Sequence, residues 1–370
     1  MVDLATQYQR LKTEIDASIA EVLNSALYIK GPQVKQFETS LAEFLNVKEV
    51  ISCANGTDAL QIAMMALGYE PGDEIITASF TYVATAEVIA LLKLKPVLVE
   101  VNPDTFTIDP SSIEKAITSK TRAIVPVHLF GQCADMEAIM EIAKRYNLDV
   151  IEDNAQAIGA DYTFSDGSVK KAGTIGTVGT TSFFPSKNLG CFGDGGAIMT
   201  NNVELATRIR MIANHGQSMQ YVHDEIGVNS RLDTLQAAVL NVKLKYLNDF
   251  AERRRSVAKF YDEAFKNVVG LQTPVRVENS THVFHQYTLK LNVVNRDLLR
   301  NQLQKLGIPT MIYYPIPLHL QKAYRDDRYL PGSFPITEEL CANVLTLPIH
   351  TEFDETELAF ITTKIIEYLR

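Results

Sequence analysis

Lys187 lies in Thr181-Ser182-Phe183-Phe184-Pro185-Ser186-Lys187-Asn188-Leu189-Gly190, where its ammonium is the sole charge among aromatic, small and glycine residues. Burial lowers a lysine's pKa, and the larger neutral fraction makes the amine a nucleophile toward an aldehyde such as that of pyridoxal phosphate. Upstream, Leu148-Asp149-Val150-Ile151-Glu152-Asp153-Asn154-Ala155-Gln156 reads as a short buried strand with acid and amide groups at its carboxyl end, where open α/β sheets bind ligands. A carboxylate set against a pyridine nitrogen keeps that nitrogen protonated and turns the ring into an electron sink, a role that fits Asp153. Gln156 is placed to reach the phenolic oxygen of the same ring. The other reading makes Asp153 a helix cap and Gln156 a loop residue.

A third group, Val50-Ile51-Ser52-Cys53-Ala54-Asn55-Gly56-Thr57-Asp58-Ala59-Leu60, reads as a strand, a glycine turn and an apolar helix running to about Leu67. Gly56 permits close approach, Thr57 adds a hydroxyl, and the helix N-terminus offers free N–H groups to a phosphate. An ordinary strand-to-helix connection capped by Asn55 or Thr57 has the same pattern. Asp58 opposes a bound dianion unless its side chain points away.

Strand-like runs alternate with helical ones through the first half: Glu74 to Thr77, a helix near Ala84 to Leu92, Pro96 to Val101, Ser111 to Ile117, Arg122 to Val127, Met136 to Tyr146 and Leu148 to Glu152. This is the rhythm of an α/β chain with a mainly parallel sheet and helical crossovers. Strand-like Thr180 to Phe184 leads into Lys187, and Ala197 to Thr200 follows Gly193, Gly195 and Gly196. One helical pattern from Leu232 to about Phe265 then leads to a smaller α+β domain with a strand over Val283 to Leu291 and helices over Arg296 to Leu306 and Glu355 to Tyr368. The expected division is 1–245, the large domain, and 246–370, with residues 1–30 packing on the smaller one.

A chain of 370 residues with 46% hydrophobic content buries a core large enough for two domains. Its net charge of −9 argues against a nucleic-acid partner, so an anionic substrate must meet a local positive pocket. No apolar run reaches the roughly 18 residues of a membrane span, and Met1 to Arg10 lacks a basic-then-apolar leader pattern, which predicts a cytoplasmic protein. Cys53, Cys133, Cys191 and Cys341 are far apart and no histidine has metal-ligand spacing, so no metal site and no disulfide framework is expected.

The ordered set Gly56-Thr57, Asp153 with Gln156, Ser182 and Lys187 resembles fold type I pyridoxal-phosphate enzymes, and more narrowly the DegT/DnrJ/EryC1/StrS sugar aminotransferases. Further motifs carry the likeness over the whole chain: Tyr28-Ile29-Lys30-Gly31-Pro32, Phe80-Thr81-Tyr82-Val83-Ala84-Thr85, Gly193-Asp194-Gly195-Gly196, Asn229-Ser230-Arg231-Leu232-Asp233 and Tyr314-Pro315-Ile316-Pro317-Leu318-His319. The resemblance implies that Lys187 forms the Schiff base and shuttles the proton, that Asp153 holds the pyridinium, and that Tyr82 stacks on the ring. Gly56, Thr57 and Ser182 would bind the phosphate, joined by Asn229 from the other subunit of a homodimer with shared sites. Arg231 would pair with a carboxylate, or form a surface ion pair with Asp233 or Asp224. Tyr28, Tyr313, Tyr314 and His319 would line the sugar end, although Tyr82 also suits a core and His319 a capped loop.

The implied reaction takes an amino group from L-glutamate to a ketone on a nucleotide-linked sugar. The segments Cys53 to Ala63, Phe80 to Ala90, Gly131 to Met136 and Val228 to Ala238 are most similar to enzymes aminating C3 of UDP-2-acetamido-2-deoxy-3-oxo-glucuronate for O-antigen and related glycans. Two departures stand out: Tyr313 where those enzymes often have His, and Asn154 where Ala is common. Either fits another sugar, such as a dTDP- or UDP-linked 3- or 4-keto-6-deoxyhexose. A dehydratase of the same fold has His where this chain has Lys187, and a non-catalytic regulatory protein of this fold would lack the yellow cofactor.

Overall fold

The computed structural model describes residues 1–292 and 295–369. Seven strands form the central sheet: β1 Glu49–Cys53, β2 Glu74–Ala78, β3 Lys95–Val99, β4 Thr121–Val125, β5 Asp149–Asp153, β6 Val178–Ser182 and β7 Gly196–Thr200, in the order β1-β7-β6-β5-β4-β2-β3. All neighbours are parallel except β7, which is antiparallel to both β1 and β6. Two reversals cancel, so β1, β5 and β6 point the same way. Cys53, Asp153 and Ser182 therefore end on one edge of the sheet.

Helices cover both faces, which is why β2 reads Glu-Ile-Ile-Thr-Ala with every residue buried instead of alternating. Ile75, Ile76, Ile124, Ile151 and Ile198 are fully buried, each stabilising the fold by roughly 1.5–3 kcal/mol. Among the helices, α1 spans Leu4–Ser25, α2 Pro32–Leu45, α3 Gly56–Leu67 and α4 Met136–Tyr146. Leu11 and Ile15 of α1 pack with Val239, Val242 and Phe250, while its Arg10 reaches Asp249 and Glu352.

The helical pattern after Leu232 resolves into two helices, α5 Thr234–Leu244 and α6 Leu247–Phe265. Tight bonds from Lys245 N–H to Val242 O and Tyr246 N–H to Lys243 O end the first, and the chain turns a corner. Apolar periodicity continues on both sides of that corner, because α5 packs on α1 and α2 whereas α6 covers a second sheet. This sheet comprises β8 Leu271–Gln272, β9 Tyr287–Leu291 and β10 Val344–Leu347, all antiparallel, with α7 Arg296–Lys305 and α8 Glu355–Leu369 around it.

The strand expected over Val283 to Leu291 begins only at Tyr287. The four residues before it bond elsewhere: Val283 N–H to Gly131 O, Gln286 N–H to Phe130 O, and the Arg254 guanidinium to the carbonyls of Phe284 and His285. Among the described residues no helix is long and apolar enough to cross a membrane, no metal-ligating cluster exists, and all four cysteines are buried free thiols.

Candidate active site

A cavity of about 570 Å³ opens at the sheet edge where β1, β5 and β6 end. Its lining includes Gly56, Thr57, Tyr82, Asp153, Gln156, Ser182, Lys187, Tyr313 and Tyr314, drawn from segments far apart in the chain.

Lys187 follows β6 in a turn closed by its own N–H bonding to Phe184 O, and Asn188 anchors that turn to Val283 O at 2.8 Å. Gly190 presses against the turn so closely that a Cβ there would lie 2.3 Å from Pro185 O. Burial pushes the Lys187 ammonium down to about 8, against the opposing pull of the Asp153 carboxylate. An amine so placed has a substantial neutral fraction near pH 8.

Asp153 ends β5. Thr85 donates its hydroxyl to Oδ2 at 2.8 Å and Ala155 its N–H to Oδ1 at 3.2 Å, so the carboxylate is oriented with lone pairs to spare. Gln156 is held at both ends: Oε1 accepts from Phe130 N–H at 2.8 Å, and Nε2 donates to the Tyr314 hydroxyl at 3.2 Å. The second amide hydrogen is left for another acceptor.

At the other end, Asn55 caps α3 by accepting from Asp58 N–H at 2.8 Å, and Asn55 O takes Ala59 N–H. The N–H groups of Gly56 and Thr57 belong to the first helical turn, where no carbonyl lies upstream to receive them. A Cβ on Gly56 would come 2.7 Å from that of Ser182, so glycine lets the helix start and the end of β6 meet. Asp58 points away: its carboxylate accepts from the Ser230 hydroxyl at 2.6 Å. A half-buried amine of lowered pKa, an oriented carboxylate, an amide with a spare hydrogen and a free-N–H helix start beside a hydroxyl fit the aldehyde, pyridine nitrogen, phenol and phosphate of pyridoxal phosphate.

Four expected residues lie outside this cavity. Tyr28 is exposed, its carbonyl receiving Thr234 N–H; Asn229 is also exposed; Arg231 lines a separate cavity of about 260 Å³ with Lys30, Lys35 and the ion pair of Arg210 with Glu38. Arg231 forms no ion pair among the described residues. His319, expected at the sugar end, has its ring buried in the chain's own packing, 3.1 Å from Glu338 and at a steep angle to Phe334. Asn154 is buried behind the site, donating to Ala172 O at 2.9 Å, so of the two departures only Tyr313 faces the cavity.

Other lining residues escaped the sequence reading, chiefly Phe130, Phe184, His285 and Gln286. Burial first, then the positive charges of Lys187 and Arg254, holds the His285 imidazole well below the usual histidine range. The one local signal for His285 and Gln286 was their polarity at the start of an otherwise apolar strand pattern.

Residues 9–366 match the model of the DegT/DnrJ/EryC1/StrS aminotransferase family. A Pseudomonas aeruginosa protein, UDP-2-acetamido-2-deoxy-3-oxo-D-glucuronate aminotransferase, is 49% identical over 97% of each chain. A Geobacillus stearothermophilus protein named pleiotropic regulatory protein is 47% identical over 100% of this chain and 98% of its own. The crystal structure of S. venezuelae DesV in complex with ketimine intermediate superposes with a TM-score of 0.95 at 40% identity, covering 100% of this chain and 98% of that one. With a family match over nearly its whole length, and with the lysine, the carboxylate and a helix N-terminus converging in one cavity, this chain belongs to the DegT/DnrJ/EryC1/StrS aminotransferases, enzymes whose cofactor is pyridoxal 5′-phosphate.

Proposed function

We propose that the protein moves an amino group from L-glutamate to the 3-keto carbon of a UDP-linked 2-acetamido-2-deoxy-hexuluronate, in the synthesis of a surface polysaccharide such as O-antigen. The observation that carries this reading is the half-buried Lys187 amine, its pKa lowered by desolvation, sharing a cavity with Asp153 in a chain 49% identical to an enzyme named for that substrate. When bound, pyridoxal phosphate supplies the electron sink and carries the amino group between donor and acceptor.

In this scheme Gly56 N–H, Thr57 and the Ser182 hydroxyl hold the phosphate, Asp153 holds the pyridinium proton, and Gln156 donates to the phenolic oxygen. Tyr82 covers the ring. Lys187 would hold the cofactor, and its amine would take and return the proton at the amino-bearing carbon. Tyr313, Tyr314 and Phe130 wall the cavity.

The working unit in this reading is a homodimer. Leu23, Leu27, Tyr28 and Ile29 form an exposed apolar run at the end of α1 and just beyond it, suited to burial against a second copy. Tyr28, Asn229 and Arg231, which lie outside their own chain's cavity, then serve the neighbouring one: the partner's Asn229 on the phosphate, the partner's Arg231 on the sugar carboxylate.

Tyr313 favours a second reading, a neutral dTDP- or UDP-linked keto-6-deoxyhexose, since it stands at the cavity wall where the uronate enzymes often have His. Purified protein given glutamate and either the 3-oxo uronate or a dTDP-3-oxo-6-deoxyhexose separates the two. The uronate should yield the amino sugar by mass spectrometry; turnover of the deoxyhexose alone would remove the first reading.

A further inference from the structure

Glu152 precedes Asp153 on β5, so strand alternation sends its side chain to the face away from the cavity. It is fully buried and receives four donors: Ile175 N–H at 2.6 Å and Gly176 N–H at 2.7 Å on Oε1, Gly173 N–H at 2.8 Å and His128 Nε2 at 2.9 Å on Oε2. The ring's tautomer follows from its other side. Ala134 N–H donates to His128 Nδ1 at 3.2 Å, so Nδ1 carries the lone pair and Nε2 carries the hydrogen given to Glu152.

This imidazole closes a loop, because His128 and Ala134 bracket the turn Leu129–Gly131. Phe130, at the turn's centre, has a left-handed backbone with φ 59°, a conformation a phenylalanine adopts only when its surroundings impose it. Its N–H holds Gln156 Oε1, its carbonyl takes Gln286 N–H at 3.2 Å, and Gly131 O takes Val283 N–H at 2.8 Å. One turn thus sets both the Gln156 amide and the segment carrying His285 and Gln286 into the cavity wall.

We propose that Glu152 and His128 are positioning residues that hold the Leu129–Gly131 turn, and through it Gln156, in register with Asp153. The proposal rests on the reading that Gln156 faces the cofactor's phenolic oxygen.

Glu152→Gln puts an amide NH2 among donors, breaking the ring or backbone bonds; His128→Asn keeps an acceptor for Ala134 but cannot reach Glu152, and carries the test if the first variant does not fold. In cofactor-free protein, amide hydrogen exchange at Phe130 should quicken about tenfold or more relative to β1 and β7, the loss of a buried bond. In protein loaded with pyridoxal phosphate, the pH midpoint of the visible absorbance band should move in the direction seen for Gln156→Ala.

Uniformly faster exchange with a lower melting temperature and an unmoved midpoint would show a merely stabilising pair and overturn the proposal. Selective exchange at Phe130 without a midpoint shift overturns it too. Should wild-type protein form no visible band, the proposed function fails and the exchange result alone decides the positioning role.

Discussion

Thr85 donates its hydroxyl to the Asp153 carboxylate at 2.8 Å, joining the first turns after β2 to the end of β5. Since Asp153 is assigned to the pyridinium proton, Thr85→Val should let the carboxylate rotate. The expected loss in kcat is about tenfold, the worth of one bond to a charged group. Asp153→Asn, which cannot balance the ring's positive charge, should cost far more. Steady-state kinetics with glutamate and keto sugar would order the two, and equal rates for Asp153→Asn and wild type would end the electron-sink assignment.

Lys187 should show its lowered pKa directly. In cofactor-free protein, covalent capture by pyridoxal phosphate, fixed with borohydride and located by mass spectrometry, should speed up as pH rises through about 8. Lys187→Ala should bind the cofactor reversibly and turn over nothing.

Stability provides a separate check on that burial. Because the folded pKa lies below the unfolded one, the unfolded chain binds more protons between about pH 8 and pH 10.5, and wild-type stability rises across that window. Cofactor-free Lys187→Met should therefore be more stable than wild type at pH 7, and the gap should close as pH climbs from 8 to 10.5. Denaturant melts at several pH values would measure it; a constant gap would mean the ammonium is not desolvated.

At the phosphate cradle, Gly56→Ala should weaken cofactor binding by about tenfold or more, because its Cβ would lie 2.7 Å from that of Ser182 and force α3 off the end of β6. The rate of cofactor loss on dialysis gives the number. Retention equal to wild type would place the phosphate elsewhere.

Arg231→Lys keeps the charge but loses the two-pronged grip on a carboxylate. If the partner's Arg231 reads the uronate, KM for the acidic sugar should rise about tenfold while cofactor binding stays the same. An unchanged KM would favour the neutral sugar.

Lys187, Asp153, Ser182 and Gly56-Thr57 were legible in the linear chain because each lies in a short strand-to-turn segment whose composition is local: an isolated charge among aromatics, an acid closing an apolar run, a glycine opening a helix. The alternation of strands and helices was equally readable, since hydrophobic periodicity records burial. That same periodicity concealed the corner at Lys245 and Tyr246, because helices on either side of a bend keep the same spacing. It also ran a strand back through Val283 to Gln286, whose backbone bonds go to Phe130, Gly131 and Arg254 instead.

From residue order alone came the candidate groups: an amine, an acid and a glycine-opened helix at strand ends. Only the folded chain decided their company, placing His285, Gln286 and Phe130 in the wall, moving His319 into the protein interior, and leaving Tyr28, Asn229 and Arg231 outside their own cavity. The division has a physical cause. A side chain's chemistry is carried by its own atoms, whereas its neighbours in space are set by strand order, two cancelling reversals and long-range hydrogen bonds that no local window contains.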